Sequence, residues 1–106
     1  MAMIDHQVVI TIKSTTQEYL PDASVLLFGS RARKDEQPES DYDILLITNV
    51  YLAPKEKLAL RTKIRKALLI DGIRSDILIQ SKTEVEMKKN LPGHIISRIL
   101  REAIIL

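Results

Sequence analysis

The stretch "LLFGSRARKDEQPESDYDILLI", residues 26–47, decides how this chain is read. It joins a Gly-Ser pair to an Asp-Tyr-Asp triplet through a charged segment, with an apolar run on either side. "SVLLF" (24–28) is short, apolar and closed by Gly29, the pattern of a buried strand. "YDILLITN" (42–49) reads as a second strand. Residues 30–40 are polar and contain Pro38, so they do not belong to a sheet interior.

Working outward, residues 4–20 fit two readings. Ile4, Val8, Ile12 and Tyr19 or Leu20 lie on one face of a helix, whereas "VVITI" is β-branched like a strand. A length of about 16 residues favours the helix, and Pro21 ends it. "PKEKLALRTKIRKALLI" (54–70) opens with a first-turn proline, repeats Leu60, Ile64, Ala67 and Leu68 at helical spacing, and is closed by Gly72. "RSDILIQ" (74–80) is a third strand. "SKTEVEMKKN" (81–90) begins with a capping box and reads as a short helix. "HIISRILREA" (94–103) places Ile95, Ile96, Ile99, Leu100 and Ala103 on one helical face, and "AIIL" (103–106) fits a last short strand. Strands alternate with helices, which predicts an α/β (α+β) domain with a mixed or mainly parallel sheet and helices packed on it.

The chain has 106 residues, the size of one domain with one modest core. Sixteen basic residues against fourteen acidic ones leave a net charge of +2, too even to argue for nucleic-acid binding by charge. Aromatic content is 4% with no Trp, which argues against a base-stacking platform. There is no cysteine, so disulfides and thiolate metal sites are excluded. The start "MAMIDHQVV" lacks the pattern of a secretory signal, and no apolar run reaches the roughly 18–20 residues that span a bilayer. The expectation is a cytoplasmic protein without a membrane segment. His6 and His94 read as solvated or capping residues, and Tyr19, Tyr42 and Tyr51 as packing residues. The basic residues of 55–66 read as a solvated helix face.

Alternation along the second strand places Asp41 and Asp43 on one face, with Tyr42 turned away. Two adjacent carboxylates repel, and a hard divalent cation such as Mg²⁺ resolves the conflict. Asp76 heads the third strand and can face the same position if that strand pairs beside the second. Three carboxylates so placed suit two metal ions about 3.5–4 Å apart. Gly29 lets the backbone approach a ligand, and Ser30 stands where backbone N–H groups and a hydroxyl can meet phosphate oxygens. Arg31 and Arg33 add positive charge. Each signal alone has an ordinary reading: a Gly-Ser after a strand is usually a turn, and an Asp at a strand start usually caps its own backbone. Their order on these elements is what makes them informative.

"FGSRARKDEQPESDYDILLI" resembles the signature of the DNA polymerase beta-like nucleotidyltransferase superfamily: a strand, Gly-Ser, a spacer, Asp-x-Asp and a third Asp on a later strand. Ten residues separate Ser30 from Asp41, the spacing of its small prokaryotic branch, the minimal nucleotidyltransferases. "EVEMKKNLPGHIISRILREAIIL" (84–106) resembles the closing segment of that branch. The resemblance implies a nucleotidyltransferase fold. Gly29 and Ser30, supported by Arg31 and Arg33, would bind the triphosphate. Asp41, Asp43 and Asp76 would hold two Mg²⁺ ions, with Asp76 helping to activate an acceptor hydroxyl. ATP would be the substrate and pyrophosphate the leaving group. Members of this branch pair with a small helical HEPN protein, so the resemblance implies an antitoxin that adds AMP to a tyrosine of a HEPN ribonuclease toxin. Two alternatives stand beside it: an antitoxin acting by binding alone, and a small-molecule nucleotidyltransferase subunit of the aminoglycoside type. The chain ends soon after its last expected helix, from which a partner is expected to supply the acceptor surface.

Overall fold

A computed structural model describes residues 5–34 and 40–106. Ile4 of the first expected helical face, and residues 35–39 of the spacer before Asp41, lie outside the described residues. The helix reading of the N-terminal segment holds: α1 spans His6–Tyr19 and starts where the Asp5 side chain accepts from the Gln7 N–H at 2.8 Å. Its buried face carries Ile12, Thr15 and Thr16. The Thr16 hydroxyl donates to the carbonyls of Ile12 and Lys13, which satisfies it inside the core.

β1 (Ser24–Phe28) leads into the five-residue α2 (Gly29–Arg33). So short a helix does not carry the chain back along the strand. β2 (Tyr42–Thr48) therefore returns antiparallel to β1, with Phe28 opposite Asp43 and Ser24 opposite Ile47. The long α3 (Pro54–Ile70) is a true crossover, and β3 (Ser75–Ser81) pairs parallel to β2, with Asp43 opposite Asp76. α4 (Lys82–Lys88) and α5 (Ile95–Glu102) follow, and β4 (Ile104–Ile105) adds antiparallel to the free side of β1. The sheet order is β3-β2-β1-β4, and it is mixed rather than mainly parallel because only the α3 connection crosses over.

Helices cover both faces. Ile12 of α1 and Ile64 and Leu68 of α3 pack on Val25, Ile44, Leu46, Ile77 and Ile79. On the other face Val85 of α4 and Ile96 and Ile99 of α5 pack on Leu26 and Leu45. Burial from both sides explains why β2 carries three consecutive fully buried residues, Ile44, Leu45 and Leu46. Ile95, expected on the buried face of α5, is exposed instead, since the buried stripe of that helix runs through Ile96 and Ile99 and leaves Ile95 at its edge. Tyr19 and Tyr51 are likewise exposed, and only Tyr42 packs as expected. His94 caps α5, its Nδ1 accepting from the Ile96 N–H at 3.1 Å.

The capping box at the start of α4 holds. The Ser81 hydroxyl accepts from the Glu84 N–H, and Glu84 accepts from the Ser81 N–H at 2.8 Å. Glu84 also takes Lys57 Nζ at 2.7 Å, which ties α4 to α3 and removes Lys57 from the solvated face expected for 55–66. Burial pushes the Glu84 carboxyl up, but the bonds from Lys57 and Ser81 outweigh it and hold it below its ordinary 4.5. The stabilisation is therefore present above pH 4.5 and is lost as pH falls through the lowered folded value. Ser81→Ala is expected to cost about 1 kcal/mol, or roughly 4–8 °C in Tm. Glu84→Gln is expected to melt below wild type at neutral pH, with the gap closing in melts taken below pH 4.5.

Candidate active site

Gly29 turns the chain from β1 into α2 at φ +73°, a conformation strained for any residue with a side chain. It is buried, and a Cβ built on it would fall on the Asp43 carboxylate. Glycine is thus required for the backbone angle and for the space that Asp43 fills. α2 stops at Lys34, which takes φ 62° and returns its N–H to the Ser30 carbonyl.

Asp43 stands one residue inside β2, flanked in register by Phe28 of β1 and Asp76 of β3. Paired residues on neighbouring strands point to the same face, so Asp43 and Asp76 lie side by side. That face also carries Leu45 and Leu78 under α5. Asp43 is half-buried and Asp76 exposed. Asp41 precedes the strand, is exposed, and lies 3.6 Å from Arg74 Nε. Burial is the main cause that raises the Asp43 carboxyl above its ordinary 3.8; the charges of Asp76, Asp41 and Glu102 add to it, and Arg33 opposes it. Carboxylates that oppose one another's ionisation in this way favour a hard cation beside them.

Among the described residues no three carboxylate or histidine side chains are gathered as a ready metal cluster. Asp41 is instead paired with Arg74, at 3.6 Å. The donor set still fits a divalent ion. All three side chains offer hard oxygen, two share one face, and Asp41 joins them on leaving Arg74.

The two expected arginines part company. The Arg31 guanidinium donates to the Ser40 carbonyl at 2.8 and 3.3 Å and lies over the Tyr42 ring at 4.2 Å. It thereby clamps α2 to the start of β2. Arg33 reaches Glu102 of α5, donating to both carboxylate oxygens at 3.3 Å. Glu102 also accepts from the Gly29 N–H at 3.2 Å. No local motif marks Glu102 in the sequence. Its one signal is an acidic residue at a helix C-terminus, where the dipole disfavours it. On the other flank, a cleft of about 260 Å³ opens beside Asp41, lined by Asp41, Arg65, Leu69, Ile73, Arg74 and Ser75. The Ser75 hydroxyl is buried with no hydrogen-bond partner among the described residues.

The family model described as the nucleotidyltransferase domain matches residues 9–106. The chain belongs to that family. Solved structures of similar fold include a candidate nucleotidyltransferase that is 25% identical, with a TM-score of 0.62 over 92% of this chain and 96% of that one. A candidate minimal nucleotidyltransferase is also 25% identical, with a TM-score of 0.57 over 94% and 89%. A complex of tri-AMPylated Shewanella oneidensis HEPN toxin with MNT antitoxin shares the fold at 16% identity, with a TM-score of 0.56 over 93% and 68%. The chain matches no curated protein. The resemblance in residues 24–106 is therefore borne out for this nucleotidyltransferase domain at the level of family and fold. Among the described residues no helix is long and apolar enough to cross a membrane.

Two outcomes follow for this nucleotidyltransferase domain. Because its folded value is raised, the contribution of Asp43 to stability is fully present below pH 3.8 and is lost as pH rises through the raised folded value. Asp43→Asn is expected to raise the Tm of the metal-free protein at neutral pH by on the order of a few degrees, and the gain should vanish in melts near pH 3. Gly29→Ala has the opposite sign. It is expected to lose about 1–3 kcal/mol in urea unfolding, from backbone strain and the displaced carboxylate.

Proposed function

We propose that this domain transfers AMP from ATP to a hydroxyl group of a helical partner protein, a tyrosine of a HEPN toxin, and so serves as its antitoxin. The observation that carries the reading is the placement of Asp43, in register with Asp76 and packed against Gly29. In this reading Gly29, Ser30 and Arg33 bind the β- and γ-phosphates, while Arg31 acts by holding the loop that brings Asp41 into place. Asp41, Asp43 and Asp76 would hold two Mg²⁺ ions, which when bound would supply charge neutralisation at the phosphate and lower the pKa of the attacking hydroxyl. The acceptor oxygen bonds to the α-phosphorus, the bond from that phosphorus to its bridging oxygen breaks, and pyrophosphate leaves. The hydroxyl proton passes to the Asp76 carboxylate.

Topology supports the direction of attack. Gly29 and Ser30 follow β1, Asp76 belongs to β3, and β2 runs between them. Pyrophosphate and acceptor then stand on opposite sides of Asp43, as an in-line displacement requires. The partner class is suggested by the S. oneidensis complex, whose toxin is AMPylated and whose antitoxin is an MNT protein.

The test is incubation with ATP, Mg²⁺ and the helical protein encoded beside this one, read by intact mass. Wild type is expected to add AMP units to the partner. Asp41→Asn with Asp43→Asn is expected to slow that addition by roughly 10²-fold or more while circular dichroism stays unchanged. A partner that binds without gaining mass, and is still neutralised by the double variant, would make this an antitoxin by binding alone.

A further inference from the structure

Glu102 is the last residue of α5, against the negative end of that helix's dipole. A carboxylate there is held by something outside the helix. The holders are the Gly29 N–H and the Arg33 guanidinium, which together give it three hydrogen bonds of 3.2–3.3 Å. The Glu102 side chain is 22% exposed against 48% for Arg33, so the carboxylate sits inward of the guanidinium. These are the same donors that the proposed function assigns to the triphosphate. Carboxylate and phosphate oxygens accept such bonds in much the same way. The single Gly29 N–H serves one anion well at a time, and a phosphate beside Arg33 would meet the negative charge already held there.

We propose that Glu102 is a built-in anion that competes with the triphosphate for Gly29 and Arg33, and is displaced when the phosphates bind. The idea rests on the reading of Gly29 as the phosphate turn. Its occupancy keeps the Gly29 N–H satisfied in the empty protein, where a buried donor would otherwise stand alone. The Glu102 side chain is also one of three carboxylates, with Asp76 and Asp41, whose charge acts on Asp43. Glu102 is joined through Ala103 to β4, which is held by pairing with Leu26 and Leu27 of β1. Triphosphate binding is in this way coupled to the C-terminal segment at the edge of the sheet.

Competition and support have opposite signatures. If Glu102 merely supported the turn, its neutralisation would weaken nucleotide binding; as a competitor, its neutralisation strengthens it. Glu102→Gln keeps the size and an acceptor oxygen and removes the charge. Calorimetric titration with metal-free ATP and with inorganic tripolyphosphate is expected to give a Kd lower than wild type by on the order of fivefold, the scale of so exposed an ion pair. An equal or higher Kd, with wild type binding both ligands, overturns the competition and leaves the nucleotide reading standing. Absence of binding by both proteins, in the presence of Mg²⁺ as well as without it, overturns the two together. Wild type alone supplies a check that does not depend on the variant's folding. The ¹³C carboxylate resonance of Glu102 is expected to shift on saturation with tripolyphosphate, and a resonance that stays in place overturns the proposal.

Discussion

The Asp43 carboxylate occupies the space in which a Cβ on Gly29 would stand, and the site is organised around that contact. It joins the end of β1 to the start of β2 at the closest approach their backbones allow. Antiparallel register then sets Phe28 opposite Asp43, and parallel register sets Asp76 on the other side. One residue thus belongs to both halves of the site, the glycine turn and the carboxylate face. The arrangement is electrostatically uncomfortable, since Asp43 is half-buried among other acids. Discomfort of that kind is the ordinary sign of a site built for a cation or a substrate rather than for stability.

The scaffold holds this arrangement by burying the middle of β2 from both sides. Ile44, Leu45 and Leu46 anchor the strand between the α1–α3 layer and the α4–α5 layer. Asp43 is the next residue toward the strand's start, so its position is fixed by a core with no freedom to slip: a shift of one residue would reverse every side chain. α5 has two roles. Ile96 and Ile99 close the core, while Glu102 at its end reaches the glycine turn. The capping network of Ser81, Glu84 and Lys57 stabilises the far end of the sheet, away from the acids.

Much of the fold was legible because it rests on local rules. Helical spacing in 54–70, the capping box at Ser81 and the apolar runs of β1 to β3 each name an element without reference to the rest. Where the reading failed, the cause lay in surroundings. Ile95 has the right spacing for the buried stripe but lies at its edge, with Ile96 and Ile99 taking the contact with the sheet. Lys57 reads as solvated, yet Glu84 from another helix meets it. In the site, Gly29, Ser30, Asp41, Asp43 and Asp76 were visible as a spaced pattern. Glu102 was not, because it meets Gly29 across 73 positions of chain, and no spacing rule spans that distance.

By itself the sequence determined the elements, the alternation that gives Asp43 its face, and the need for glycine before Ser30, since these depend on residues within a few positions of one another. Tertiary structure alone decided that β2 runs antiparallel to β1 and parallel to β3, which sets Asp76 beside Asp43 and the glycine turn on the other flank. It also decided which charges pair: Arg31 with the Ser40 carbonyl, Arg74 with Asp41, and Arg33 with Glu102. Partners of that kind are chosen by distance in space, and folding sets that distance by burying the apolar faces that lie between them.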